Sequence, residues 1–177
     1  MLGRSAAATD LTRSRDIELQ ALLEHVYDSS FDHVYALAYA STGNRTDADD
    51  VTAETYERAV RNIRSYRGSS DRLVFWIYGI ARNVVREYRR DRERQHAPLV
   101  DDNDGGLSSP SPADQAESGI EAQRLLSLLT PAQGEVLRLR LAGLSSKEIA
   151  EVLGKAEGTV KALQFAGLKR LRKETRL

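Results

Sequence analysis

The chain has 177 residues, 26 basic and 26 acidic side chains, a formal net charge of zero and no cysteine. That length allows one or two compact domains, and the missing thiols exclude disulfides, thiolate nucleophiles and zinc ribbons. No apolar run is long enough to span a bilayer, and residues 1–15, with Arg4, Arg13 and Arg15 around a short alanine run, lack a secretory core. The expectation is a cytoplasmic protein without membrane insertion, its first fifteen residues a disordered tail.

Zero net charge hides strong segregation. From Asp16 to Glu57 acids dominate and Arg45 is the only strong base, whereas from Arg58 to Arg94 eleven arginines face only Asp71, Glu87, Asp91 and Glu93. Residues 97–121 then carry six acids and no Lys or Arg, and the chain turns basic again from Lys155. Two basic blocks around an acidic connector point to two nucleic-acid contacts in one chain. Both halves show 3.6-residue periodicity without alternating strands, so the expected class is all-α: two small helical domains, 16–96 and 118–177, joined by a flexible acidic linker at 97–117 that is rich in Pro, Ser, Gly and Asp.

In the first domain, Ile17 to about Ser29 and Phe31 to about Ser41 read as two helices, the second ended near Gly43-Asn44. A third follows, with Thr46 as its cap and Asp47, Asp49 and Asp50 in a first turn where the helix dipole favours negative charge. Asp47, Asp50, Glu54 and Glu57 recur at spacings of three and four and make one carboxylate stripe opposite Ala48, Val51, Thr55 and Ala59. Spacing alone leaves two readings open, a solvated face or a docking surface for a basic partner. The polar loop Ser65, Tyr66, Arg67, Gly68, Ser69, Ser70, Asp71 comes next and is suited to accept a base extruded from a duplex.

The helix after this loop buries Leu73, Ile77, Ile80, Ala81, Val84 and Tyr88, while Trp76, Gly79, Asn83, Arg86 and Arg90 line up about 140° away. Arginines neutralise phosphates, Asn reads a base edge and Trp stacks on an unpaired base, so this stripe suits a partly opened strand. Trp76 as an ordinary core residue is the competing reading.

Past the linker, Thr130-Pro131-Ala132-Gln133 opens a helix as a capping box with Pro at its first position, and Gly143 ends it. Ser145 and Glu148 form a second capping box before Ile149, Ala150 and Leu153, and Gly154 stops that short helix. A third helix begins near Glu157. On it Val160, Leu163, Gly167, Leu168 and Leu171 fall on one side, and Lys161, Ala162, Phe165, Ala166, Lys169, Arg172 and Lys173 on the other. A short capped helix, a Gly-containing turn and a longer basic helix form the helix-turn-helix plan, whose last helix enters the major groove. Phe165 amid lysines needs a partner or a surface such as a thymine methyl to cover it.

The segments DADDVTAETYERAVRNI, FWIYGIARNVVREYRR and LTPAQGEVLRLRLAGLSSKEIAEVLGKAEGTVK resemble the two domains of an extracytoplasmic-function sigma factor of the sigma-70 family. The resemblance implies an N-terminal domain that binds core RNA polymerase and the promoter −10 element, and a C-terminal domain for the −35 element. It places Asp47, Asp50, Glu54 and Glu57 against the polymerase clamp helices and assigns the base pocket to Ser65–Asp71. Trp76, Arg82, Asn83, Arg86, Arg89 and Arg90 fall to the −10 element, and Lys161, Ala162, Phe165, Ala166, Lys169 and Arg172 to the −35 element. The implied partners are core polymerase, through its clamp helices and flap, double-stranded and melted promoter DNA, and an anti-sigma factor, with no cofactor, metal or catalysis.

Gly79 and Ala166 depart from the family by replacing commonly basic residues, and Leu163 and Gly167 also differ from its commonest pattern. The acids Asp101, Asp102 and Asp104 are open to two readings, nucleic-acid mimicry or plain solubilising disorder. Two other functions compete: a stand-alone LuxR-like helix-turn-helix activator, and a metal hydrolase built on Asp47, Asp49, Asp50, Glu54 and His33.

Overall fold

The structure, a computed structural model, describes residues 3–95 and 121–175. The linker at 97–117, and with it Asp101, Asp102 and Asp104, lies outside the described residues. Helices α1 (Gly3–Thr42), α2 (Arg45–Asn62) and α3 (Leu73–Gln95) form the first domain, with short 3₁₀ turns at Ile63–Ser65 and Ser70–Arg72 between α2 and α3. A helix described over 121–127, α4, leads into α5 (Pro131–Leu141), α6 (Ser146–Leu153) and α7 (Glu157–Glu174).

Three sequence expectations for the N-terminal half change. The two helices expected over 17–41 are one continuous α1, which already begins at Gly3, inside the segment expected to be a disordered tail. Ser29 and Ser30 look like a break, but both hydroxyls donate back to the Val26 carbonyl, at 3.1 and 2.7 Å, and so satisfy themselves within the helix. The cap of α2 is Asn44, not Thr46: its backbone is extended, and its side-chain oxygen accepts from the Asp47 N–H at 2.8 Å.

Leu23, Val26, Val34, Leu37 and Ala38 of α1 meet Ala48, Val51 and Ala59 of α2 and Leu73, Ile77, Ala81 and Val84 of α3 in a three-helix core. Thr52 and Thr55, buried on α2, return their hydroxyl protons to the carbonyls four residues back. In the second domain both expected capping boxes are formed, Thr130 with Gln133 and Ser145 with Glu148. Gly154 ends α6 at φ 61°, ψ 38°, a left-handed conformation that lets the chain reverse into α7.

The two domains pack against each other. Val136, Leu139, Ala142, Leu144, Ile149 and Val160 belong to the same apolar cluster as the core of the first domain. Polar contacts ring this seam. The His33 Nδ1 lies 2.6 Å from the Ala142 carbonyl, which only accepts, so His33 carries its proton there. Gln123 donates to the Ser41 carbonyl at 2.9 Å, Arg82 pairs with Glu135 at 2.6 Å, and Arg72 pairs with Glu151.

Candidate nucleic-acid interface

The helix-turn-helix presents α7 as the sequence predicts. Val160 and Gly167 are buried and Leu163 and Leu171 half-buried, while Lys161, Ala162, Phe165, Ala166, Lys169, Arg172 and Lys173 are all exposed. Leu168 is the exception: expected on the buried side, it is 40% exposed, because it lies at the edge of the apolar stripe. Phe165 is 69% exposed, the largest value among the exposed large hydrophobics of the described residues. Lys161 is engaged with Glu157 one turn earlier, at 2.7 Å, so its charge is partly offset in the free protein. Glu148, which accepts from Ser145 through both side chain and backbone, is held below the usual carboxylate range and so stays ionised as a cap.

On α3 the six residues assigned to the −10 element divide into two sets. Asn83, Arg86 and Arg90 are exposed. Arg82 and Arg89 turn toward the second domain, Arg82 onto Glu135 and Arg89 into a cleft that Arg138 also lines. Trp76 is half-buried and packs against the Tyr66 ring, with centroids 5.3 Å apart and planes at 51°. Gly79, on the same face, has open space where a side chain would project.

The loop Ser65–Asp71 is folded around Tyr66. The Tyr66 ring is buried, and its hydroxyl donates to the Ser69 carbonyl at 2.7 Å. A Cβ on Gly68 would stand 2.3 Å from the Tyr66 hydroxyl oxygen, so glycine is dictated here by close approach. Arg67, Gly68, Ser69, Ser70 and Asp71 stay exposed around this anchor.

The carboxylate stripe is only partly available. Asp47 accepts from Tyr88 at 2.5 Å and from Arg92 at 3.1 Å. Burial raises its pKa, but the hydrogen bonds from Asn44, Tyr88 and Arg92 outweigh that and hold it low. Glu54 pairs with Arg58 at 2.5 Å, Arg58 also reaches Glu87 at 2.7 Å, and Glu57 pairs with Arg61 at 3.6 Å. Asp49 and Asp50 are exposed. Sequence periodicity finds the stripe and misses its partners, because Tyr88, Arg92 and Glu87 arrive from α3. Nor does the hydrolase cluster assemble: His33 faces Ala142, and among the described residues no three His, Cys, Asp or Glu side chains converge where they would hold a metal.

Fold and surface define a two-domain all-helical protein, with an arginine-bearing helix in one half and a helix-turn-helix that exposes a basic helix in the other. Residues 26–95 match Sigma-70 region 2, and residues 120–171 match Sigma-70, region 4. The ECF RNA polymerase sigma factor BldN of Streptomyces coelicolor is 32% identical over 156 residues, covering 82% of this chain and 59% of its own length. SigE of Mycolicibacterium smegmatis, also an ECF RNA polymerase sigma factor, is 32% identical over 124 residues, covering 67% and 48%. The chain therefore spans about half the length of the curated relatives it matches. Among solved structures, CnrH in complex with the cytosolic domain of CnrY shares the fold at a TM-score of 0.67 and 20% identity, over 94% of this chain and 95% of that one. The sigma factor RpoE from Bartonella quintana, solved with the anti-sigma factor NepR, does so at 0.55 and 20%, over 93% and 98%.

The chain belongs to the sigma-70 family, in its extracytoplasmic-function group. A stand-alone LuxR-like activator is not supported, since the N-terminal half is itself a sigma-70 region 2. Among the described residues no helix is long and apolar enough to cross a membrane.

Proposed function

We propose that this protein directs core RNA polymerase to promoters and helps melt them, with no reaction of its own. The observation that carries this reading is the joining, in one chain, of a region 2 helix that exposes Asn83, Arg86 and Arg90 to a helix-turn-helix whose α7 exposes Lys161, Phe165, Lys169 and Arg172. The first set reads and holds the −10 element, with the loop Ser65–Asp71 as base pocket, and the second reads the −35 element. Asp50, with Glu54 and Glu57 beside it, docks on the clamp helices, and the second domain meets the flap. An anti-sigma factor is proposed as the regulating partner in the cytoplasm.

Arg82 and Arg89 reach DNA only once the seam between the domains opens. Residues 97–117 then act as a tether: extended, they reach roughly 70 Å at 3.3–3.6 Å per residue, against about 34–36 Å for one DNA turn. Run-off transcription with purified core enzyme on fragmented genomic DNA tests the proposal. Discrete transcripts that need this chain are expected, and Asp50→Lys with Glu54→Lys should abolish them by weakening core binding. Tight, sequence-specific operator binding without polymerase, and no transcripts with it, would overturn the reading.

A further inference from the structure

Arg138 is an anomaly in the seam. It lies on α5 and is only 7% exposed, yet its Nε has no hydrogen-bond partner, and no described residue gives its guanidinium a hydrogen bond or an ion pair. Glu135, one turn away, is committed to Arg82. The neighbouring charge is instead another cation, Arg89, and together burial and Arg89 push Arg138 down to about 10 against the pull of Glu135. That value still leaves the group charged at neutral pH. A buried guanidinium whose nearest carboxylate, Glu135, spends its hydrogen bond on Arg82, and whose other charged neighbour is a cation, is under-compensated, so an anion that reaches it gains a desolvated, charge-assisted contact.

The surroundings are shaped for such an anion. Arg138 lines a cleft of about 260 Å³ with Arg89, Arg92, Gln123, Ser41 and Ser127. Its carboxylate, Glu93, is 73% exposed and only 3.9 Å-paired to Arg89; Arg92 is engaged with Asp47. Arg138, and Arg89 with only its long, exposed contact to Glu93, are therefore the cations most open to a ligand, and they come from α5 and α3, one from each domain. Two guanidinium forks converging from different helices suit a tetrahedral oxyanion better than a planar carboxylate, which a single fork satisfies. The volume falls below the roughly 300–1,000 Å³ of drug-sized sites, which favours a single phosphate group over a whole nucleotide.

We propose that this cleft is a phosphate-binding site, in which Arg138 and Arg89 clasp one phosphate group between the two domains. Because both domains supply ligands, the bound phosphate holds the seam closed. The site does not depend on the promoter-binding role and is tested on the full chain without polymerase. Inorganic phosphate, titrated against chloride as control and followed by calorimetry and phosphorus NMR line broadening, should bind saturably and raise the unfolding temperature. Arg138→Met removes a buried charge, a change that commonly leaves folding intact; it should weaken phosphate binding roughly tenfold or more. Arg89→Met, at a partly exposed position, should give the same loss and decides the matter if Arg138→Met does not fold. A short duplex added as competitor to the wild type separates the sources: displacement of the bound phosphate, with duplex affinity that falls in Arg138→Met, assigns the site to the DNA backbone, and no displacement assigns it to free phosphate. Either result keeps the phosphate chemistry. No saturable binding to the wild type, or equal binding by a folded variant, overturns it.

Discussion

Replacing Glu135 by Gln tests whether the polar ring of the seam sets the balance between closed and open arrangements. The Arg82–Glu135 pair, 2.6 Å apart, has side chains 24% and 21% exposed, which places it between a surface ion pair and a fully buried one. Surface pairs contribute about 0.2–1 kcal/mol, and breaking a buried pair costs about 3–5 kcal/mol, so a loss of about 1–2 kcal/mol is expected here. The same carboxylate is the negative charge that supports Arg138, so its removal disfavours closure twice. A change of that size shifts the closed-to-open ratio by roughly 5–30-fold. Because the chain has no cysteine, Asp49→Cys and Lys155→Cys give unique dye positions, one on each domain, and single-molecule energy transfer reads the two populations. The expected result is a larger long-distance population in Glu135→Gln than in the parent chain. An unchanged distance distribution would show that the apolar seam alone holds the domains together and would refute the reasoning.

Gly68→Ala places a methyl 2.3 Å from the Tyr66 hydroxyl oxygen; the expected loss is about 1–3 kcal/mol of stability, read by urea unfolding, together with slower promoter opening. Phe165→Ala, at a position 69% exposed, should leave the unfolding curve within about 0.5 kcal/mol while weakening binding to a −35 duplex, measured by anisotropy. Asp47 is held below its ordinary 3.8, so its contribution is fully present above that pH and disappears as pH falls through the lower folded value. Asp47→Asn should therefore flatten the acid limb of a stability-against-pH profile measured by denaturant midpoints and leave its shape at neutral pH unchanged.

The parts of this molecule that sequence discloses are those set by neighbours in the chain. Both capping boxes, the left-handed Gly154 and the outward face of α7 follow from residues within a turn or two of each other, and the structure has each of them. The join at Ser29-Ser30 misleads because the same hydroxyls that cap helices also bond back inside them, and only the tertiary packing of α1 selects between these uses. Asn44 outranks Thr46 as the cap because its side chain reaches the Asp47 N–H and carboxylate together. The seam was invisible for a different reason. Arg82 and Glu135 are 53 residues apart, Arg72 and Glu151 are 79 apart, and neither helix alone signals that its charges are turned toward another domain. For the same reason Trp76, assigned from the wheel to a DNA face, turns out to share that face with the buried ring of Tyr66.

The ion pairs that close the seam carry a consequence for how ionic strength acts on this protein. Arg72 and Glu151, with side chains 62% and 39% exposed, sit where a Debye length of about 8–10 Å screens them. Added salt thus loosens the closed arrangement and, on the function proposed above, frees Arg82 and Arg89 for DNA. On the same proposal it also weakens each phosphate contact those arginines would make, by counterion release. The two effects run in opposite directions, so the affinity of this protein for a promoter should fall with salt less steeply than the number of its phosphate contacts implies.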